Sequence, residues 1–282
     1  MEERELNHQA VLNLLPNRDP WAHKGKFGKL LLLCGREGYT GAAALATMGA
    51  LRSGAGLVYL GVPRCIYAIE AVKLTEAVVF PLPCKDGGFS SSAATEIRKR
   101  LPDMDAVLIG PGMGQSEGTL DVLATVLEEY TGTVVVDADG INLLSQHKYL
   151  LRGRTGVTIV TPHDGEFVRL AGSLSADRAN DAAALAKNLG CIVVLKGHET
   201  LITDGEVCYR NHTGNPGMAV GGSGDVLAGM VASLVGQGIS PLEATAAAVW
   251  LHGAAGDACA KELGQYGMLP TDMLKAIPRL MK

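Results

Sequence analysis

Short runs rich in valine, isoleucine and leucine alternate with helical patterns along most of the chain. The apolar runs predict buried strands at 29–34, 57–62, 77–80, 106–109, 133–137, 157–161 and 191–196. The stretches between them predict helices at 42–52, 93–100, 119–129, 165–170 and 176–189. Continuously apolar strands separated by helices are typical of a parallel sheet that is covered on both faces. We therefore expect an α/β fold with a central, mostly parallel sheet.

The C-terminal part of the chain departs from this alternation. The turn sequence Asp204-Gly205 separates two short β-type segments, 200–203 and 206–210, and predicts a hairpin. Two long helical stretches, near 225–235 and 242–263, are expected to finish the chain. Because the composition shows neither a linker-like shift nor an internal repeat, residues 1–282 are predicted to form a single domain.

Composition places the chain among large, ordered globular proteins. It has 282 residues, 47% of them hydrophobic, and its 36 glycines are spread through short turns. The net charge of −4 comes without a basic stripe, which argues against a nucleic-acid partner. No apolar run approaches the roughly 20 residues of a membrane helix, and the acidic N-terminus is unlike a signal peptide. We expect a cytoplasmic protein whose six cysteines, with no Cys-x-x-Cys pair, are buried reduced thiols.

The most informative segment is glycine-rich and stands immediately before a helical stretch. It runs from Thr213 to Asp225 as Thr-Gly-Asn-Pro-Gly-Met-Ala-Val-Gly-Gly-Ser-Gly-Asp. Glycine allows close approach to bare amides, and a helix N-terminus adds unpaired N–H groups and a partial positive charge. Such a segment suits a phosphate or a developing oxyanion, and its carboxylate suits a general base acting on a hydroxyl. An ordinary helix N-cap is the structural alternative for Asp225.

Polar, glycine-containing loops follow several of the predicted strands. They span 34–42, 110–114, 137–142, 161–166 and 196–200. Because ligands in open α/β sheets bind beyond the carboxyl ends of the strands, these loops together predict a ligand cleft. His252, on the last long helix, either packs beside that cleft or is an ordinary helix-face residue.

Individual positions on this rim allow two interpretations each. Lys196 ends an apolar strand, where a lysine is costly unless its charge is used, and we favour contact with a nucleotide phosphate. His163 either donates a hydrogen bond to a polar substrate or caps a helix. The loop 110–114 either lets a ligand approach the backbone or is a tight turn. One polar cluster lines the cleft, holds Mg²⁺ through water, or forms an Asx turn: Asp137, Asp139 and Asn142.

Taken together, these segments resemble the ADP- or ATP-dependent NAD(P)H-hydrate dehydratases, a branch of the ribokinase-like fold. The resemblance covers nearly the whole chain and includes 23–28, 38–42, 51–58, 110–114, 137–139, 161–166 and 196–200. Its most specific part is 215–219 joined to 221–225. The chain departs from the commoner family residues at four positions without losing a presumed catalytic group: Lys26, Cys34, Arg36 and Val220.

The resemblance implies a reaction and a set of site residues. The reaction is repair of the S epimer of hydrated NADH or NADPH, by phosphorylation of the ring hydroxyl and elimination of phosphate. ADP is the first choice of co-substrate over ATP, Mg²⁺ is expected to take part, and Asp225 is the expected catalytic base. The hydrated cofactor is expected at Ala42, Gly112, Gly114, His163 and Asp225. The nucleotide is expected at Lys196, Gly197, His198, Glu199, Thr200, Gly222, Ser223 and Gly224.

The resemblance also bears on partners and on rival functions. It implies a homo-oligomer, with a tetramer favoured. Because the segment before His23 is too short for the epimerase domain that some relatives carry, a functional link to a separate epimerase is expected. A hydroxyethylthiazole or hydroxymethylpyrimidine kinase of the same fold would share the glycine loop and Asp225, but 161–163 and 215–217 argue against it. A non-enzymatic nucleotide-binding regulator would not need Asp225.

Overall fold

The strands of the chain form one large sheet and one small hairpin in the computed structural model, which describes residues 1–282. The strands are β1 (Glu2–Arg4), β2 (Lys29–Leu33), β3 (Leu57–Pro63), β4 (Val78–Leu82), β5 (Cys84–Lys85), β6 (Gly88–Phe89), β7 (Ala106–Ile109), β8 (Thr133–Val136), β9 (Thr158–Val160), β10 (Ile192–Leu195), β11 (Leu201–Thr203) and β12 (Val207–Arg210). The large sheet has ten strands in the order β1-β12-β11-β10-β9-β8-β7-β2-β3-β4, and β5 pairs with β6.

Helices cover the sheet on both faces. They are α1 (His8–Leu14), α2 (Thr40–Arg52), α3 (Tyr67–Lys73), α4 (Ala93–Arg98), α5 (Glu117–Glu129), α6 (Asp139–Gln146), α7 (Asp164–Ala171), α8 (Arg178–Leu189), α9 (Ser223–Gly236), α10 (Pro241–Leu263) and α11 (Pro270–Leu280). No helix combines the length and the apolar character needed to cross a membrane.

The alternation of side chains along each strand divides the core in two. Successive residues of a strand point to opposite faces of the sheet. In β2, Leu30 and Leu32 belong to one buried cluster, which includes residues of α2, α9, α10 and α11. Leu31 and Leu33 belong to the other, which includes residues of α4 to α8. Burial on both faces explains why the strands are continuously apolar in the sequence.

The parallel strands bring their carboxyl ends to one edge of the sheet, where the functional loops follow. The strands from β10 through β9, β8, β7, β2 and β3 to β4 are all parallel, and only β11 is antiparallel to its neighbours. Helices α2 and α9 both begin at this edge and lie in close contact. A Cβ on Gly49 would collide with the Val226 carbonyl oxygen, and one on Gly229 with the Ala46 carbonyl oxygen.

The predicted α/β class, the mostly parallel sheet and the hairpin of β11 and β12 are confirmed. The prediction that two long helices finish the chain is wrong, because α11 follows them. Helix α11 was missed because it contains Pro270 and Pro278, and proline usually argues against a helix. Pro270 stands in the first turn, where the N–H that proline lacks would have no partner within the helix. Six short elements escaped prediction: β1, β5, β6, α1, α3 and α6.

The cysteine prediction is partly wrong. Four cysteines are buried: Cys34, Cys191, Cys208 and Cys259. Cys65 and Cys84 are exposed, because each lies two residues beyond the end of a strand at the rim of the large sheet, Cys65 in a short 3₁₀ turn and Cys84 at the start of β5. All six are free thiols.

Candidate functional site

A cavity of about 1010 Å³ opens beyond the carboxyl ends of β8, β9 and β10, next to the first turn of α9. It brings together most of the residues that the sequence singled out. The predicted site residues that line it are His163, Lys196, Gly197, His198, Glu199, Thr200, Gly222, Ser223, Gly224 and Asp225.

The glycine-rich segment shapes the N-terminus of α9 at this cavity. Gly222 has a φ of 96°, a conformation that favours glycine, and a Cβ there would also displace the end of the Leu45 side chain. Gly222 has no side chain to cap the helix, and the first amides of α9 have no side-chain partner. The Ser223 amide donates to the Val220 carbonyl at 3.3 Å, and the amides of Gly224 and Asp225 remain as unpaired donors that, with the helix dipole, face the cavity.

Two contacts hold the flanks of this segment. Asp257 of α10 accepts hydrogen bonds from the Gly214 amide at 2.9 Å and from Asn215 Nδ2 at 3.0 Å. Ser223 Oγ lies 3.4 Å from His252 Nε2, and burial lowers the pKa of His252 to about 4. His252 is therefore neutral at physiological pH. It lines the cavity and contributes packing and hydrogen bonding there, which agrees with the prediction that it packs beside the cleft.

Asp225 stands in the first turn of α9, facing the cavity. Burial and, less strongly, the negative charge of Asp137 raise its pKa, the positive charge of Lys196 lowers it, and the net result is a pKa of about 6. A carboxylate with a raised proton affinity is a better base than a solvated one, and it is still largely ionised at neutral pH.

Lys196 is paired with carboxylates of the site. Its Nζ donates to Asp137 Oδ1 at 3.0 Å and lies 3.8 Å from Glu166 Oε2. Burial alone would lower the pKa of Lys196, but the charges of Asp137, Glu166 and Asp225 outweigh burial and raise it. Asp137 also accepts a hydrogen bond from Thr161 Oγ1 at 2.7 Å and is almost fully buried. Lys196 is thus a fixed cation in the site.

His163 caps α7, which was one of its two predicted roles. Its Nδ1 accepts from the Gly165 amide at 3.0 Å and the Glu166 amide at 3.3 Å. In the reciprocal hydrogen bond, the Glu166 carboxylate accepts from the His163 amide at 2.9 Å, and the two residues form a capping box. Since Nδ1 is an acceptor, Nε2 carries the proton of the neutral ring, and Nε2 lies 3.5 Å from Glu166 Oε1.

The turn 197–200 forms the wall of the cavity next to Lys196. Thr200 Oγ1 accepts from the Gly197 amide at 3.3 Å and donates to the Gly197 carbonyl at 3.0 Å. Glu199 has a φ of 55°, and its carboxylate lies 3.2 Å from Arg210 Nη1 and 3.3 Å from His212 Nδ1. The turn 197–200 is therefore held by its own Thr200 hydrogen bonds and by the contacts of Glu199 with Arg210 and His212.

Ala42, Gly112 and Gly114 lie outside the lining of this cavity and form a second cluster. A Cβ on Gly112, whose φ is 63°, would come within 2.8 Å of Ala42 Cβ, so the loop packs directly on the first turn of α2. The Gly114 amide donates to Asp139 Oδ2 at 2.8 Å. Asp139 follows Ala138, which lines the cavity, so this hydrogen bond joins the cluster to the cavity wall.

The expected magnesium has no complete protein site. No group of three or more His, Cys, Asp or Glu side chains lies close enough together to hold a metal ion. Asp137 is occupied by Lys196 and Thr161, and Asp139 by Gly114. These side chains do not fit an all-protein Mg²⁺ site, which would need several oxygen ligands.

Sequence reasoning placed Asp137 in the cleft but missed its pairing with Lys196, and it missed Asp257 as an anchor of the glycine-rich segment. A signal for the first existed, because the acid and the lysine directly follow β8 and β10, which flank β9 in the sheet. No signal in the sequence placed Asp257 beside Gly214, since the contact depends on how α10 packs.

The model of one protein family, described as NAD(P)H-hydrate dehydratase, matches residues 30–279. The chain belongs to the NAD(P)H-hydrate dehydratase family. A bifunctional NAD(P)H-hydrate repair enzyme of Moorella thermoacetica is 42% identical over 275 residues, which are 95% of this chain and 52% of that protein. The chain thus spans about half the length of the first curated relatives it matches. An ADP-dependent (S)-NAD(P)H-hydrate dehydratase of Neisseria meningitidis is 38% identical over 253 residues, 86% of this chain and 81% of the relative.

The fold of this family member agrees with solved structures. The ADP/ATP-dependent NAD(P)H-hydrate dehydratase of Bacillus subtilis, co-crystallised with ATP and Mg²⁺, is similar with a TM-score of 0.84 and 33% identity, covering 97% of this chain and 96% of that one. A ribokinase-like superfamily protein of Enterococcus faecalis is similar with a TM-score of 0.87 and 30% identity, covering 99% and 95%. The predicted ribokinase-like fold is therefore confirmed.

Proposed function

We propose that this chain dehydrates the S epimer of hydrated NADH or NADPH to the intact cofactor, using ADP or ATP as co-substrate. The observation that carries the proposal is Asp225: a carboxylate with a pKa raised to about 6 stands in the first turn of an uncapped helix that faces a cavity. This arrangement places a base beside donors for phosphate oxygens.

The reaction divides into two steps. Asp225 removes the proton from the ring hydroxyl, and the hydroxyl oxygen attacks the terminal phosphorus of the nucleotide, whose bond to the bridging oxygen breaks. The amides of Gly222, Ser223 and Gly224 hold the negative charge on the transferring phosphoryl group. The phosphate ester then leaves as phosphate, driven by the lone pair of the ring nitrogen, and loss of a ring proton re-forms the double bond. Phosphorylation thus turns hydroxide, a poor leaving group, into phosphate.

The nucleotide is assigned to Lys196, the turn 197–200 and the start of α9. Lys196 supplies one positive charge against three carboxylates: Asp137, Glu166 and Asp225. This local excess of negative charge would repel a nucleotide phosphate that arrives without a cation. We therefore propose that Mg²⁺ enters bound to the nucleotide phosphates, as the missing protein site also suggests.

The hydrated cofactor is assigned to the cluster of Ala42, Gly112 and Gly114, with His163 and Asp225 at the cavity side. Helix α2 has no side-chain cap at Tyr39 and no acid in its first turn, so its amides are available to an anionic group such as a diphosphate. His163 lines the cavity and more than half of its side chain is exposed, so we assign its Nε2–H as a donor to the substrate.

Stoichiometry tests the proposal against a kinase of the same fold. A hydroxyethylthiazole kinase of Pyrococcus horikoshii has a TM-score of 0.64 but only 15% identity, a likeness of fold alone. Incubation with hydrated NADPH and ADP should release one phosphate and one AMP for each NADPH recovered, and with ATP the second product should be ADP. Phosphorus NMR follows all of these species. A stable phosphorylated product without free phosphate would reject the dehydratase in favour of the kinase.

The remaining expectations extend this proposal. We propose that residues 1–282 act as a single domain, in the cytoplasm where reduced nicotinamide cofactors are used, and as a homo-oligomer with a tetramer favoured. A partner epimerase would convert the other epimer into this substrate. Light scattering on the purified chain tests the oligomer, and faster repair of mixed epimers on addition of an epimerase tests the link.

A further inference from the structure

Cys65 and Cys84 lie side by side at the rim of the sheet. β3 and β4 are parallel neighbours, and Pro63 pairs with Leu82 at the end of their register. Each cysteine comes two residues after its strand's last paired residue, so the two side chains leave the sheet at the same level. The Cys84 side chain is near enough to the Cys65 thiol to raise the pKa of that thiol.

The geometry and the exposure of this pair suit disulfide chemistry. Neighbouring strands are about 4.8 Å apart where Pro63 pairs with Leu82. The two cysteines that follow therefore leave the sheet from a spacing close to the Cα separation of about 4.4–6.8 Å that a disulfide requires. Cys65 and Cys84 are the two exposed cysteines of the chain, both are free, and the other four are buried. A soluble oxidant therefore reaches this pair in preference to the others.

We propose that Cys65 and Cys84 are a redox modification site and form a reversible intramolecular disulfide on reaction with a low-molecular-weight disulfide such as oxidised glutathione. In the first step one cysteine thiolate attacks a sulfur of oxidised glutathione, a mixed disulfide forms and one glutathione thiolate leaves. In the second step the other cysteine attacks the mixed disulfide and releases the second glutathione. Two electrons pass from the protein thiols to oxidised glutathione, and the two thiol protons end on the two glutathione molecules.

The disulfide would tie the end of β3 to the hairpin of β5 and β6, which Cys84 opens. The turn of that hairpin already contacts the loop before α2, since the Gly87 carbonyl accepts from the Glu37 amide at 2.8 Å. Partial burial and, less strongly, the neighbouring Cys84 side chain and the charge of Glu37 raise the pKa of the Cys65 thiol. Because the thiolate is the nucleophile, oxidation should accelerate as pH rises.

The test is a titration of the full-length native chain with oxidised and reduced glutathione, quenched with an alkylating reagent and mapped by mass spectrometry. The expected result is one cross-linked peptide pair containing Cys65 and Cys84, its loss on return to reduced glutathione, and a higher thermal midpoint of the oxidised chain. Cys65→Ser and Cys84→Ser are matched controls. Each variant should form only a mixed disulfide with glutathione. That should require at least about tenfold more oxidised glutathione than the wild-type cross-link does, because no second thiol is present at a high effective concentration to displace glutathione.

Two outcomes would overturn the inference. One is mixed disulfides at both cysteines of the wild-type chain without a cross-link. The other is equal sensitivity of the wild-type chain and the two serine variants to oxidised glutathione. Neither readout requires turnover, so failure of the proposed dehydratase activity would leave this test unaffected.

Discussion

Helices α7 and α9 both begin at the same cavity, but side chains cap the N-terminus of α7 and none caps that of α9. At α7, the imidazole of His163 and the carboxylate of Glu166 form a reciprocal capping box. At α9, the preceding residue is Gly222, and no side chain caps the helix. The side chains that cap α7 satisfy its first amide N–H groups. The first amides of α9 have no such cap, and uncapped amides that face a cavity can bind an anion. The comparison supports the proposal that α9 binds the transferring phosphoryl group.

Lys196 lies between the two helices and connects them. Its Nζ is 3.8 Å from Glu166 Oε2 of α7, and a Cβ on Gly224 of α9 would lie 3.4 Å from the same Nζ. The same lysine is bound to Asp137 at 3.0 Å. The capped helix thus contributes a carboxylate that holds the lysine in place, and the open helix contributes the donors and the base.

The largest expected effect comes from the acid of the open helix. Asp225→Asn keeps the shape of the side chain and removes its basicity, so turnover of hydrated NADPH should fall by about 10²–10⁴-fold, the usual contribution of a general base. Recovery of NADPH absorbance measures the rate. Nucleotide affinity, measured by calorimetry, is the control and should be retained. Turnover within about threefold of the wild type would remove Asp225 from the role of base.

The next effect concerns the lysine between the helices. Lys196→Met should weaken nucleotide binding by about tenfold to a hundredfold, because a charge-assisted contact contributes about 1.5–3 kcal/mol. It should also lower stability, because Asp137 would remain as a buried charge without its partner.

The double variant Lys196→Met/Asp137→Asn separates these two consequences. It should regain stability in urea unfolding, since the unpaired charge is gone, and it should still bind nucleotide weakly in calorimetry. Full nucleotide affinity in either variant would make Lys196 a structural residue.

The raised pKa of Asp225 predicts opposite pH trends for activity and stability. Because the ionised form is the base, kcat/KM should fall about tenfold per unit below about pH 6 and be level above it. The folded-state pKa exceeds the ordinary value of 3.8, so the folded chain binds this proton more tightly than the unfolded chain does. Ionisation of Asp225 therefore lowers the free energy of unfolding. This loss of stability is absent below about pH 4 and complete above about pH 6.

Asp225→Asn should consequently be more stable than the wild type at pH 7, by up to about 3 kcal/mol for a shift of about two units, and this advantage should vanish near pH 4. Urea unfolding at the two pH values measures the difference. An asparagine variant that is less stable than the wild type at both values would contradict the buried, unfavourable charge.

The contrast between the two helices was only partly visible in the sequence. The glycine-rich approach to Asp225 predicts an open helix end because glycine has no side chain that could cap it. The capping box of His163 and Glu166 is a local pattern, and it was one of two interpretations for His163. The pairing of Lys196 with Asp137 and the anchor at Asp257 join segments far apart in the chain, so they depend on the sheet order and on helix packing, which local patterns do not determine.

A smaller effect is expected where α9 rests on α2. Gly49→Ala would drive a Cβ into the Val226 carbonyl and should destabilise the fold by about 1–3 kcal/mol, as overpacking does. Gly41→Ala in the same helix is the matched control, because its Cβ would meet no atom within 4 Å, and it should be neutral or slightly stabilising. Equal urea midpoints for both variants would show that α9 does not depend on this contact for its position.

The smallest expected effect tests the capped helix itself. His163→Ala removes the acceptor of the Gly165 and Glu166 amides and should cost about 1 kcal/mol of stability, whereas His163→Asn, a good N-cap, should cost little. Both variants lack the imidazole Nε2–H. If that group donates to the hydrated cofactor, both should raise its KM by a similar factor and leave the KM for nucleotide unchanged. A KM that follows the stability loss, raised in the alanine variant and normal in the asparagine variant, would assign His163 to the cap alone and leave substrate recognition to α2 and α9.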